Sequence, residues 1–183
     1  PSKPIDEIYT ILGRTRQGKT ERARALECYM KNSSDKFRHA PGTRGMVMSV
    51  FTLPGHSLVF KVIKDDFGHT KSISREEVKQ KYKLVFHHDR AGRLIDSQEF
   101  RNMEFLANRF DREILEDLLT HASRTVRLVD NKVIIDHLYI ERKLIPLDLY
   151  LRDNDVEEST RAVIDYGQAI KDLALTNIFP GDF

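Results

Sequence analysis

The stretch Ala40-Pro41-Gly42-Thr43-Arg44-Gly45-Met46-Val47-Met48-Ser49-Val50-Phe51, continued after the turn Leu53-Pro54-Gly55-His56 by Leu58-Val59-Phe60-Lys61-Val62-Ile63, decides how the rest of the chain is read. A small-residue loop opens a β-rich run, and a Pro-Gly turn returns it as a second run, so the two predict an antiparallel pair. One lysine, Lys61, sits inside the second strand. Phe60 and Val62 flank it and point to the opposite face. A lysine in that position needs an anionic partner if it is buried, and is otherwise an edge-strand lysine. A flexible loop followed by a lysine strand is also how protein kinases cover nucleotide phosphates and pair a lysine with them. Gly42 and Gly45 do not reproduce the usual G-x-G-x-x-G, so the order of elements carries more of this reading than the loop does.

Outward from this pair the punctuation is clear. Thr20 is placed to cap a helix through about Met30, ended by Asn32-Ser33-Ser34, and the stretch from Asn32 to Pro41 carries little regular signal. Ser74 with Glu77 forms a capping box before Val78, Tyr82, Val85 and Phe86, predicting a helix to about His88. Asp111 caps another helix, with Ile114, Leu115, Leu118 and Leu119 as its buried stripe. Val126–Val129 and Val133–Tyr139 flank Asp130-Asn131, the composition of a hairpin. Pro146 starts a short helix through Leu151. Asp155 with Glu158 opens a longer one, with Val163, Tyr166, Ile170 and Leu173 repeating at helical spacing. The fold class is α+β with an antiparallel sheet, its strands before residue 65 and again near 126–140, and helices between and after.

Composition bounds the function. The 183 residues carry 30 Lys plus Arg against 28 Asp plus Glu, with charge spread evenly rather than gathered into a basic tail, which argues against a nucleic-acid binder. The 40% apolar content supports a folded core. No apolar run of about 18 residues exists to span a membrane, and the lone Cys28 fits a reducing, cytoplasmic setting. The chain begins without Met and ends in Asn177-Ile178-Phe179-Pro180-Gly181-Asp182-Phe183, which reads as an excerpt of a longer protein.

Two arrangements compete to hold a phosphate. Gly13-Arg14-Thr15-Arg16-Gln17-Gly18-Lys19-Thr20 matches the P-loop pattern letter for letter between Ile8–Leu12, read as a strand, and a helix. In that case Lys19 would meet the outer phosphates and Thr20 a Mg²⁺ ion. Against it, a P-loop domain needs parallel βαβ units, whereas the strands here read as hairpins. The basic run Arg14, Arg16, Lys19, Arg22, Arg24 is otherwise a solvated face. The adjacent His87 and His88 point apart at a helix end and make a poor metal site.

The longer words narrow the choice. Ala40–Met48, Val59-Phe60-Lys61-Val62-Ile63-Lys64-Asp65, His88–Arg93, Asp96-Ser97-Gln98-Glu99-Phe100, His137–Arg142 and Asn177–Asp182 resemble the bifunctional isocitrate dehydrogenase kinase/phosphatase family over nearly the whole chain. The resemblance implies a protein-kinase-like small lobe at 40–140, after a helical lead-in at 1–39 from a preceding regulatory region. A hinge and the start of a helical large lobe follow at 141–183. It implies an enzyme that uses ATP to phosphorylate a serine of isocitrate dehydrogenase, inactivating it, and also removes that phosphate, so controlling flux into the glyoxylate bypass. ATP or ADP with Mg²⁺ (or Mn²⁺) would be the cofactors and isocitrate dehydrogenase the partner. The nucleotide loop falls on Ala40, Pro41, Gly42, Thr43, Arg44, Gly45 and Met46, and the phosphate-binding lysine on Lys61. The acid linked to the phosphatase activity falls on Asp96, the kinase catalytic aspartate on Asp182, and the adenine-facing hinge near Tyr139–Arg142. Asp96 with Glu99 also reads as a helix capping box. Glu76, Glu77, Glu99 and Glu104 all stand as carboxylate partners for Lys61. No metal ligand is expected within the excerpt, which alone should be catalytically inactive. A P-loop ATPase or switch, and a non-catalytic kinase-like module, are the alternatives.

Overall fold

The computed structural model describes residues 5–45, 47–67, 74–86 and 97–178. A long helix α1 (Ile5–Asn32) leads into a two-residue strand β1 (Arg38–His39), then β2 (Met48–Thr52) and β3 (Leu58–Ile63). After α2 (Arg75–Phe86) come β4 (Ser97–Leu106), α3 (Arg112–His121), β5 (Val126–Val129) and β6 (Lys132–Arg142). The helices α4 (Leu147–Asp153) and α5 (Val156–Leu175) close the chain. The strands form one antiparallel sheet in the order β1-β2-β3-β6-β4, with β5 pairing β6 beside β3. The α+β class and the β2–β3 hairpin agree with the sequence reading.

Several local predictions hold in atomic detail. The Ser74 backbone N–H donates to Glu77 at 2.6 Å, and the Glu77 N–H donates to the Ser74 hydroxyl at 3.2 Å, which closes the capping box. The Glu158 N–H donates to the Asp155 carboxylate at 2.9 Å. Asp130 and Asn131 both take left-handed backbone, at φ 46° and 63°, as a two-residue hairpin turn requires. Asp111 stands at the N-cap of α3, although its side chain makes no capping bond.

The reading of Thr20 as a helix cap is overturned, since it lies inside α1, and so is the helix cap at Asp96–Glu99, while the weakly patterned stretch before Pro41 holds a core residue. Ser97–Leu106 is a strand, so the helix cap proposed for the Asp96–Glu99 box has no helix to cap. The weakly patterned stretch before Pro41 contains Phe37, fully buried and in ring contact with Phe51, Phe60, Phe105 and Phe110. Such ring pairs add to the burial of large apolar area, and they fix this segment despite its polar neighbours. Phe37 also exchanges backbone bonds with the α3 approach: its N–H donates to Arg109 O at 2.7 Å, and its carbonyl accepts from Asp111 N–H at 2.8 Å.

The two faces of the sheet differ. Leu58, Phe60, Val62, Leu138 and Ile140 point to the main core, shared with Leu26 of α1 and with Ile114 and Leu118 of α3. Met48, Ile63 and Tyr139 point the other way and pack on Val78 and Tyr82 of α2. Along β4 and β6 the inward parity changes: Phe100, Leu138 and Ile140 serve the core at one end, Met103, Phe105, Val133 and Ile135 at the other. The register is the same on both sides of this switch, Arg101 opposite His137 and Met103 opposite Ile135, but Asn102 and Asp136 between them are not paired. Asn102, at φ 53°, sits at the point of change. A left-handed residue rotates the strand about its own axis there.

Candidate functional site

The Gly13–Thr20 pattern is helix throughout, inside α1. Its N–H groups are spent on the helix ladder and cannot cradle a phosphate. The Thr20 hydroxyl bonds back to Arg16 O at 3.0 Å, and the Lys19 ammonium lies 4.8 Å from the centre of the Phe100 ring. The strand read at Ile8–Leu12 is helix as well, which removes the context that the P-loop reading required. This segment is a packing element: Leu26 enters the core, and the Arg22 guanidinium donates to the Ile140 carbonyl at 3.0 Å.

The Ala40–Gly45 loop leaves β1 and enters β2, anchored where Ala40 N–H donates to Val50 O at 3.0 Å. Gly42 has φ 107°, and a Cβ there would stand 3.1 Å from Pro146 Cγ. Backbone conformation and close approach therefore both require glycine at this position. The Lys64 ammonium donates to Gly45 O at 3.0 Å, and Arg44 pairs with Glu113 on α3. Beyond the loop, the Ser49 hydroxyl donates to Asp117 at 2.7 Å, which ties β2 to α3.

Lys61 lies on the α2-facing side of the sheet, opposite Val50 on one neighbour and Tyr139 on the other. Its ammonium is 2.6 Å from Glu141 Oε2, and the lysine and glutamate side chains are 26% and 10% exposed. The partner is thus none of Glu76, Glu77, Glu99 and Glu104. Glu141 comes from the far end of β6, some eighty positions away in sequence, and no local spacing could have paired it with Lys61. The visible signal was the alternation of Leu138 and Ile140 with Tyr139 and Glu141, which puts one carboxylate on the face opposite two core residues. The second carboxylate oxygen, Oε1, is buried and has no hydrogen-bond partner.

Around this pair the polar side chains are fixed by one another. Glu99, opposite Tyr139, meets Arg101 at 2.7 Å and His137 Nε2 at 3.1 Å. Burial pushes the Glu99 carboxyl up, but Arg101 and His137 outweigh it and leave the group below the usual carboxylate range. Burial holds His137 below the ordinary histidine value against the pull of Glu99, so near neutrality their contact is a hydrogen bond to a neutral ring. Tyr139 is pushed up to about 12, first by burial and then by Glu99. Tyr82, stacked on Tyr139 with ring centres 4.4 Å apart, is raised by burial and next by the charge of Glu141. Both phenols stay neutral in the physiological range.

Asp96, Asp182, Met46, His87 and His88 lie outside the described residues. The described part of the predicted site is therefore the loop Ala40–Gly45 and Lys61, joined by Glu141.

An α+β domain with a buried sheet face on one side and a lysine–carboxylate pair beside a glycine loop on the other is the class that this geometry defines. Residues 35–183 match the family described as "Isocitrate dehydrogenase kinase/phosphatase (AceK) kinase domain". Proteins named isocitrate dehydrogenase kinase/phosphatase are similar along the whole chain. That of Xanthomonas euvesicatoria pv. vesicatoria (strain 85-10) is 49% identical over 181 residues, 98% of this chain and 31% of the relative. That of Anaeromyxobacter sp. (strain Fw109-5) is 46% identical over 182 residues, 100% of this chain and 32% of the relative. That of Methylibium petroleiphilum (strain ATCC BAA-1232 / LMG 22953 / PM1) is 46% identical over 182 residues, 100% of this chain and 29% of the relative. The chain belongs to the isocitrate dehydrogenase kinase/phosphatase family. It spans about a third of the length of these relatives.

Proposed function

We propose that this chain is the nucleotide-binding part of a bifunctional cytoplasmic enzyme that phosphorylates a serine of isocitrate dehydrogenase and also removes that phosphate, directing isocitrate toward the glyoxylate bypass. Its sheet, loop and α2 would serve as a kinase-like small lobe, and the segment after Arg142 as the hinge and the start of the large lobe. The observation that carries the reading is the half-buried Lys61–Glu141 pair on the sheet face next to the glycine loop.

The residues present fit the nucleotide ATP or ADP, whereas among the described residues no three His, Cys, Asp or Glu side chains gather to hold its Mg²⁺. Lys61 offers a compact cation for the α- and β-phosphates, held in place by Glu141 rather than by solvent. Gly42 lets the loop backbone approach a ligand closely, and Val59 and Tyr139 give the same face apolar surface. The bound nucleotide would supply the phosphoryl group. Asp182 would accept or orient the proton of the attacking serine, and Asp96 would orient a water or hold the metal during dephosphorylation.

The test is calorimetric titration of the full-length enzyme with Mg²⁺-ATP, with Lys61→Ala and Lys19→Ala beside wild type. Lys61→Ala is expected to weaken binding at least about tenfold, the loss of one charge-assisted contact, while Lys19→Ala binds as wild type does. Loss at Lys19 alone, or unchanged binding in Lys61→Ala, would overturn the proposal. A melting curve of each variant separates lost binding from lost folding, because Lys61→Ala leaves Glu141 buried without its cation.

A further inference from the structure

Pro41–Gly45 are exposed, and a cavity of about 100 Å³ lies between this loop, the start of β2 and Asp117 of α3, so the loop does not rest on a packed core. Apart from the approach of Gly42 to Pro146, polar contacts hold it, and α3 supplies them at two levels. Arg44 pairs with Glu113 at the loop itself, and the Ser49 hydroxyl, at the root of the loop, donates to Asp117 Oδ2 at 2.7 Å. Glu113, Asp117 and His121 follow one another at four-residue spacing and share one side of α3. That side reaches past the loop: His121 Nδ1 meets Asp117 Oδ1 at 3.0 Å, and the His121 carbonyl accepts from the Asp65 N–H at 2.6 Å, just beyond β3.

The two contacts are unequal. Arg44 and Glu113 are 62% and 69% exposed, so water and salt screen their attraction. Ser49 is buried and the Asp117 side chain is 15% exposed, so their charge-assisted bond sits in a drier place and is harder to give up. Ser49 alternates with Met48 and Val50, which face α2, and Val50 stands opposite Lys61. Asp117 therefore lies behind the sheet, on the face opposite Lys61, and faces away from a nucleotide held there. We infer that Asp117 is a positioning residue for nucleotide binding: from behind the sheet it fixes Ser49, and through Ser49 the height at which the Ala40–Gly45 loop stands over the phosphates. This inference rests on the nucleotide reading above.

Full-length wild type, Asp117→Ala, Ser49→Ala and the double variant are titrated calorimetrically with Mg²⁺-ATP, and each is melted without nucleotide. Each single variant is expected to bind Mg²⁺-ATP about three- to tenfold more weakly, and the double variant no more weakly than the weaker single one, because both remove the same contact. Asp117→Asn keeps an oxygen that accepts from Ser49 and should recover most of the affinity. Melting temperatures that fall while affinity stays at the wild-type value would make the contact merely structural and overturn the inference. So would a loss in Asp117→Ala with Ser49→Ala unchanged, which would put Asp117 in direct contact with the nucleotide or its metal. If the variants fail to fold, the wild type decides. Coupling is reciprocal, so Mg²⁺-ATP should slow amide exchange in α3 around Asp117 as well as in the loop, and protection confined to the loop would overturn the inference. A wild type that binds no Mg²⁺-ATP would overturn the nucleotide reading itself.

Discussion

Phe37 shows how much one side chain can carry. It touches four other phenylalanines at the meeting point of β2, β3, β4 and the α3 approach, and Phe37→Ala would open a cavity that these rings cannot collapse into. The expected loss is about 3–5 kcal/mol of stability, read by urea denaturation. His137 makes a pH prediction. Its folded value is held below the unfolded value of about 6.5. Above that pH both states are neutral and the residue contributes nothing. As pH falls through about 6.5 the unfolded chain takes up a proton that the folded chain resists, so stability declines. His137→Gln should make the fall in melting temperature between pH 7.5 and 5.5 shallower. A slope unchanged from wild type would assign the acid sensitivity elsewhere, with His56, also held low by burial, as the next histidine to replace.

Among the elements, the β2–β3 turn is tied to α1 through Asp35. The Tyr29 hydroxyl and the Gly55 N–H both donate to Asp35 Oδ2, at 2.5 and 2.9 Å, and a Cβ on Gly55 would sit 2.4 Å from the Tyr29 oxygen. Gly55→Ala must therefore break the α1 anchor or bend the turn, at a cost of about 1–3 kcal/mol, while Gly13→Ala, with open space around it, should leave the melting temperature level or slightly raised. Elements with local signatures were legible: the Ser74 box, the Asp155 cap, the Asp130-Asn131 hairpin and the exact span of β3 all follow from residues within a few positions of one another. What escaped depended on distant partners. Strand β4 hid because its inward parity reverses at Asn102, which breaks the period of two that marks a half-buried strand. Helix α1 was cut short because a glycine-rich octapeptide was read as a loop, although packing on the sheet keeps it helical. The lysine of the candidate site was visible from its strand, but its carboxylate required the fold.

At the scale of the molecule, order should follow burial. Strand β6 runs through the centre of the sheet, with Val133, Ile135, Leu138 and Ile140 fully buried, whereas α5 has no buried residue and exposes Val156, Ile164 and Leu175. Amide hydrogen exchange should be slowest in β6 and, among the longer helices, fastest in α5. Equal protection in the two would mean that the apolar side of α5 is covered in solution.

The two ends of the sheet bear on how the chain behaves when it is crowded. At one end β1 is only two residues long, and the main chain just before it is already bonded to Arg109 and Asp111. At the other, β4 turns Arg101, Asn102 and Glu104 outward and is twisted at Asn102. Among the described residues neither of these two borders offers a long, flat, apolar template for a second molecule to extend, so strand addition there is obstructed; the remaining border, the outer side of β5, is only four residues long.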